Sequence, residues 1–268
     1  MALRVSIGQY YSVDSPIHRL DPRAKLVATV VFMVSCFFVS NLPTLVLAAA
    51  AVGACIAAAR VPAGRLLAQI RPIALFLVIT SVINLFFVQT GEPVLTVGAL
   101  RIYSGGVEAA LLYTLRFFLL LLAGSLLMLT TQPVALTDAA EKLLGPLERI
   151  GVPVSQVTLV LSIALRFVPT LSQEAKNVVA AQTARGADLE GKSALAYARA
   201  CVPLLVPMFA STLRHAENLG RAMEARCYTG GAGRTHYHEL RWLPRRDLPF
   251  VLGVAIYLVA LITLSTIG

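Results

Sequence analysis

Apolar residues run through this chain in long unbroken blocks. One block extends from Ala24 to Ser40, a second from about Thr44 to Ala59, a third from Pro72 to Val88, a fourth from about Val107 to Leu129 and a last from about Leu248 to Ile267. A membrane-crossing helix needs about 20 mainly apolar residues, so each block predicts a span. Asn41-Leu42-Pro43 separates the first two, because asparagine and proline favour a turn. Between the third and fourth lies a polar interval holding Gly91, Pro93, Gly98, Gly105 and Gly106, and its VLTVGALRIY stretch predicts a small hairpin.

Residues 131–247 follow another pattern. VTLVLSIALRFV and CVPLLVPMFAS both read as too short to span, and each continues into a polar, alanine-rich helical pattern. The pattern predicts a short amphipathic helix at about 134–149 and two long helices at about 153–186 and 193–228. Pro153, Pro169, Pro203 and Pro207 are expected to start or kink them, and Gly186 and Gly191 suit the turn between. Each long helix would measure about 50 Å at 1.5 Å per residue. Their greasier halves are expected against the spans and lipid, their polar halves in the cytoplasm. The expected fold is an all-α integral membrane protein with about five transmembrane helices, a short amphipathic helix and two long cytoplasmic helices. Its parts are a membrane region at 1–130 with four spans, a cytoplasmic region at 131–247 and a C-terminal span at 248–268.

Composition agrees: 57% of the 268 residues are hydrophobic and mean hydropathy is +0.75, too apolar for an ordinary soluble domain. The segment from Met1 to Leu20 is polar and carries no basic-then-apolar leader, so no cleaved signal peptide is expected. Charge fixes the orientation. Arg4, Arg19, Arg23 and Lys25 precede or open the first block, Arg60, Arg65 and Arg71 follow the second, and fourteen of the 23 Lys and Arg fall in 131–247. Basic residues stay on the cytoplasmic side, so the N-terminus is expected inside and, with five spans, the C-terminus outside. The lipid bilayer is the expected surroundings, and no nucleic-acid partner is expected.

Several chemistries lack their residues. No GxxxxGK[ST] loop or HExxH occurs, and GGAGR at Gly230–Arg234 is better read as a turn. Ion-coupled carriers use carboxylates within their spans; only Glu108 lies inside one, near its edge. Cys36, Cys55, Cys201 and Cys227 show neither disulfide nor zinc spacing. His236 and His238 in THYH lack convergent ligands and read as loop histidines. No cofactor or metal is expected in this chain, and no catalysis. Arg116 stands well inside the fourth block, where a charge must be paired or face protein or water. Bracing the bundle, through backbone carbonyls or Glu108, is favoured over contact with a partner membrane protein.

A repeat carries the most information. At one fixed offset, Ala175 pairs with Ala216, Asn177 with Asn218, Ala181 with Ala222, and Ala184-Arg185 with Ala225-Arg226; Gly186 and Cys227 follow. A single helix-end arginine needs no partner, since it complements the helix dipole. Two in matched contexts, each flanked by small residues, point instead to docking into two equivalent grooves, where the guanidinium fork matches carboxylates. In DSPIHRLDPRAKL, Asp21 reads as an N-cap and Pro22 as the first helical residue. Arg23 and Lys25 then anchor the first span at the membrane boundary.

Together SPIHRLDPRAKL at 15–26, LRFVPTLSQEA at 165–175, AQTARGAD at 181–188 and AMEARCYTGGAGRT at 222–235 resemble the transmembrane T component of energy-coupling factor (ECF) transporters, over nearly the whole chain. The resemblance implies two cytoplasmic coupling helices whose Ala-Arg-Gly ends bind two ATP-binding-cassette (ABC) ATPases. Arg185 and Arg226 match those arginines, and Cys227 departs from the family glycine while keeping a small residue. It also implies a separate substrate-binding S component, with ATP and Mg held by the ATPases, in the plasma (inner) membrane of a bacterium importing vitamins or other micronutrients. AMEARCY resembles the shared, multi-substrate type more than the dedicated cobalt or nickel type. The alternatives are a self-sufficient permease, for which Thr80, Ser81, Asn84, Gln89 and Ser125 are a thin polar lining, and a lipid-directed membrane enzyme, which lacks a clustered acid-base set.

Overall fold

The computed structural model describes residues 10–97, 100–186, 194–230 and 242–267. Eight α-helices follow one another among them: α1 Pro22–Cys36, α2 Leu42–Ala59, α3 Ala63–Phe87, α4 Ser104–Thr130, α5 Pro133–Leu144, α6 Val154–Ala184, α7 Ala194–Glu224 and α8 Pro244–Ile267. Between α3 and α4 the expected hairpin forms, β1 (Pro93–Val97) pairing antiparallel with β2 (Leu100–Tyr103). The protein is thus an all-α multi-pass membrane protein carrying one small hairpin.

Five helices are long and apolar enough to cross a membrane: α2, α3, α4, α6, and α8 over Pro244–Thr266. The number matches the sequence reading, but the membership differs. The first block yields a helix shorter than these five. α1 has 15 residues, about 22 Å at 1.5 Å per residue against a hydrocarbon core of about 30 Å. The chain unwinds after it, at Phe37–Ser40, ahead of Asn41. Conversely, α6 is one helix of 31 residues. Its apolar residues continue beyond Arg166, past the uninterrupted run. Two boundaries also move. α3 begins at Ala63 and carries Pro72 inside it, so Arg65 and Arg71 lie on a helix rather than in a link. The expected amphipathic helix at 134–149 divides into α5 and a 3-10 segment, Gly145–Ile150, where Gly145-Pro146 cannot continue the α-helical hydrogen bonding.

The described residues form two compact units, one from 10–139 and 242–267, the other from 140–230. In the first, α4 packs against α1, α2 and α3, while α8 packs against α1 and α2. Its core includes Val39, Leu45, Ala48, Leu66, Leu119 and Leu261. The start of α4 lies close against the end of α3. A Cβ on Gly106 would sit 2.8 Å from the Leu85 carbonyl oxygen and 2.9 Å from that of Val88, so only glycine permits this approach. In the second unit α6 and α7 pack together. A polar clasp joins them: Ser211, buried, donates to a Glu174 carboxylate oxygen, the other oxygen lies 3.6 Å from His215 Nε2, and the His215 ring sits 6.0 Å from that of Phe167.

Candidate functional site

The repeat read from the sequence is also a repeat of backbone geometry. At the end of α6 the Arg185 N–H donates to the Gln182 carbonyl at 3.1 Å, and the Gly186 N–H to that of Thr183 at 2.9 Å. At the end of α7 the Arg226 N–H donates to the Met223 carbonyl at 3.1 Å and the Cys227 N–H to that of Glu224 at 2.9 Å. Both helices then stop on a left-handed residue, Gly186 at φ 89° and Cys227 at φ 55°. Such a residue closes a helix by turning the chain so that N–H groups reach the last open carbonyls. The second tip adds a longer-range bond, Tyr228 N–H to the Met223 carbonyl at 3.0 Å. Glycine takes the left-handed conformation freely, whereas a side chain there costs roughly 1–2 kcal/mol. Position 227 therefore keeps the geometry of 186 in spite of its residue.

Ala184, Arg185, Gly186, Ala225, Arg226 and Cys227 are all exposed. Neither guanidinium meets a hydrogen-bond or ion-pair partner among the described residues. Each tip thus presents an exposed planar donor fork, unpaired among the described residues, beside small residues that leave room for an approaching surface. Exposed apolar residues lie farther back on both helices, among them Val157 and Val160 on α6 and Val206, Phe209 and Leu213 on α7. Gly191, His236 and His238 lie outside the described residues, and no group of three metal-ligating side chains occurs among those described.

The remaining flagged residues meet at the other unit. Asp21 caps α1, its carboxylate accepting from the Arg23 N–H at 2.8 Å, with Pro22 at the first helical position. Lys25 is buried. Its Nζ donates to the carbonyls of Thr130 at 3.0 Å and His18 at 3.4 Å. The neighbouring Leu129 carbonyl accepts from the Tyr11 N–H at 2.9 Å, and the Arg65 guanidinium lies 4.0 Å from the centre of the Tyr11 ring. Open carbonyls at the end of α4 are satisfied in this way, the ammonium also meeting the negative end of the helix dipole.

Arg116 does the same in the opposite direction. Its guanidinium donates to the carbonyls of Val39 and, at 3.3 Å, Phe37, just past the end of α1. Its partners are thus carbonyls and the face of Tyr113, 5.4 Å away, with no bond to Glu108. The antiparallel pair α1 and α4 is reciprocally capped, each lending a cation to the other's C-terminal end. From Arg116 to Thr130 is about 21 Å along α4, so α1 turns back into α2 partway along α4. Bare carbonyls at such a depth cost several kcal/mol each in lipid, which gives a half-buried arginine a purpose there.

One residue at this corner carried no flag in the sequence. Asp247 is completely buried. Its carboxylate accepts from the Leu243 N–H at 2.8 Å, the Asp21 N–H at 3.1 Å and Arg246 Nε at 3.4 Å. It caps α8 from within and ties that helix to the start of α1, 226 residues away. An acid one residue ahead of an apolar block, in PRRDLP, was the available signal.

Residues 14–237 match the family described as cobalt transport protein, CbiQ. The chain is similar to an ABC transporter ATP-binding protein of Bifidobacterium longum, 45% identical over 250 residues. That match takes in 93% of this chain but 32% of the relative, so the chain spans about a third of that protein's length. It is also similar to the energy-coupling factor transporter transmembrane proteins EcfT of Heliobacterium modesticaldum, 42% identical over 88% of each chain, and of Bacillus subtilis, 39% identical over 88% of this chain and 89% of the relative.

Proposed function

Because the chain belongs to the CbiQ cobalt transport protein family and is an EcfT-like transmembrane component of an ECF transporter, we propose that it joins two ABC ATPases to a substrate-binding S component and carries ATP-driven motion between them. The observation that carries this reading is the pair of matched helix ends. Two exposed arginines on the same hydrogen-bond frame suit two equivalent grooves, such as a pair of similar ATPases offers. Ala184, Arg185 and Gly186 enter one, Ala225, Arg226 and Cys227 the other. The Bifidobacterium relative supports the pairing from another direction: a protein named for ATP binding contains a segment similar to this chain within one polypeptide. Covalent linkage of that kind fixes partners at high effective concentration.

On this reading α6 and α7 are coupling helices, the chain performs no bond chemistry, and ATP and Mg belong to the ATPases. It works in the plasma membrane of a bacterium, with an S component choosing the vitamin or other micronutrient. AMEARCY favours the shared type, which serves several S components. The test is Arg185→Ala combined with Arg226→Ala. Loss of one partner from a buried charged pair weakens binding by on the order of 30-fold or more, so the double variant loses ATPase co-purification or hydrolyses ATP without uptake. Wild-type uptake by that variant refutes the docking role.

The N-terminus is cytoplasmic and the end of α8 external, following the basic residues at 60–71 and 131–247. Single cysteines at Ser104 and Thr266 should react with an impermeant reagent applied from outside. Reaction of either one only after permeabilisation reverses that orientation.

A further inference from the structure

Within the unit built from 10–139 and 242–267, helices α1, α2, α4 and α8 line an open-sided cavity of about 540 Å³, inside the roughly 300–1,000 Å³ range of small-molecule sites. Its walls are mostly apolar, with Phe32, Ala51, Leu126 and Phe250 among them. Two cations line it as well, Lys25 and Arg246. Both stand in the first turns of their helices, beside Thr130 at the end of α4, so the positive charge gathers at one end. Lys25 is 4% exposed; its Nζ is held by carbonyls, and the Asp21 carboxylate acts on it through space without forming an ion pair at contact distance. Arg246 shares Asp247 with two backbone N–H groups.

An apolar cavity alone calls for an apolar guest or none. A buried cation at its end adds a demand for negative charge. Free phosphate answers the second and leaves the walls bare, while a zwitterionic lipid covers the walls and brings no net charge. One molecule meets both: an anionic headgroup joined to an acyl chain. Basic pockets between transmembrane helices take such headgroups where anionic lipid is abundant. We propose that this cavity is a binding site for an anionic phospholipid, its headgroup at Lys25 and Arg246 and its acyl chain along the face from Phe32 toward Tyr257. This is independent of the docking role of the helix tips.

Gly253 provides a clean probe. It lines the cavity, and a Cβ built on it meets nothing within 4 Å, so Gly253→Leu fills the space without displacing backbone. The full chain, purified in detergent and exposed to vesicles of phosphatidylglycerol or phosphatidylcholine, is weighed by native mass spectrometry. A charge near a headgroup contributes about 1 kcal/mol, roughly fivefold. The wild type should therefore retain phosphatidylglycerol at least fivefold better than phosphatidylcholine, Arg246→Gln should lose about fivefold of that preference, and Gly253→Leu should retain neither lipid. Equal retention of the two lipids by the wild type, or undiminished phosphatidylglycerol on Gly253→Leu, overturns the proposal. So does a Gly253→Leu variant that keeps the lipid and loses a protein partner, which would give the cavity to a partner's helix instead.

Discussion

The corner where α1, α4 and α8 meet and the tips of α6 and α7 both set charged residues beside helix ends, and they use them in opposite ways. At the corner the charged side chains bond to backbone groups of neighbouring helices. Lys25 closes α4 and Asp247 joins α8 to α1, while about 21 Å back along α4 Arg116 closes α1 in the same manner. At the tips the backbone closes itself through a left-handed residue, and the guanidinium has no partner among the described residues. A buried cation that satisfies carbonyls holds a fold together. An exposed one on a pre-shaped helix end is free to meet another molecule. The same residue type thus serves structure in one unit and, on the proposed docking, recognition in the other.

Substitution separates the two roles. The largest effect on the fold is expected from Asp247→Ala, which strands the buried N–H of Asp21 and the part-buried N–H of Leu243. Each unsatisfied donor costs about 1–3 kcal/mol, so thermal unfolding in detergent should show a loss of several kcal/mol, with Asp247→Asn partly restoring it. Arg185→Ala measured beside it should leave the unfolding midpoint unchanged. A comparable drop for Arg185→Ala would erase the distinction between corner and tip.

A smaller effect sharpens the comparison between the tips themselves. Cys227→Gly removes the side chain from a left-handed position and should stabilise the chain by up to about 1–2 kcal/mol, while Gly186→Ala should lose a similar amount. If Cys227→Gly gives no gain, the φ at 227 carries no strain.

The smallest effect is a response to pH at the corner. Burial pushes the His18 imidazole below its usual range, while Ser15 Oγ holds its Nδ1 at 2.7 Å. The folded chain therefore resists protonation that the unfolded chain accepts near pH 6.5. Its contribution is complete above that value and is lost as pH falls toward the lower folded value. Unfolding midpoints should decline modestly between pH 7 and pH 5, and His18→Gln should flatten that decline. An unchanged slope in the variant would exclude His18 as its source.

Much of the functional reading was legible because it rests on local pattern. The fixed offset between the two repeats survives as matched hydrogen bonds at Arg185 and Arg226, since helix termination depends on a few neighbouring residues. The N-cap at Asp21 and Pro22 was legible for the same reason. Block length was a poorer guide. Ala24–Ser40 reads as a span and yields a short helix, while α6 reads as too short and is long enough. A count of consecutive apolar residues senses neither where a helix end finds donors nor where a helix continues through an arginine.

By itself, then, the sequence determined the membrane class, the two long helices and their twin arginine ends, all properties that periodicity and short-range backbone chemistry dictate. Tertiary structure alone decided which groups the charged side chains of this unit reach. Lys25 and Thr130 are 105 residues apart, Arg116 and Phe37 are 79, and Asp21 and Asp247 are 226. No local signal connects such pairs, because a buried charge takes whichever open carbonyl or N–H the packing of other helices delivers to it.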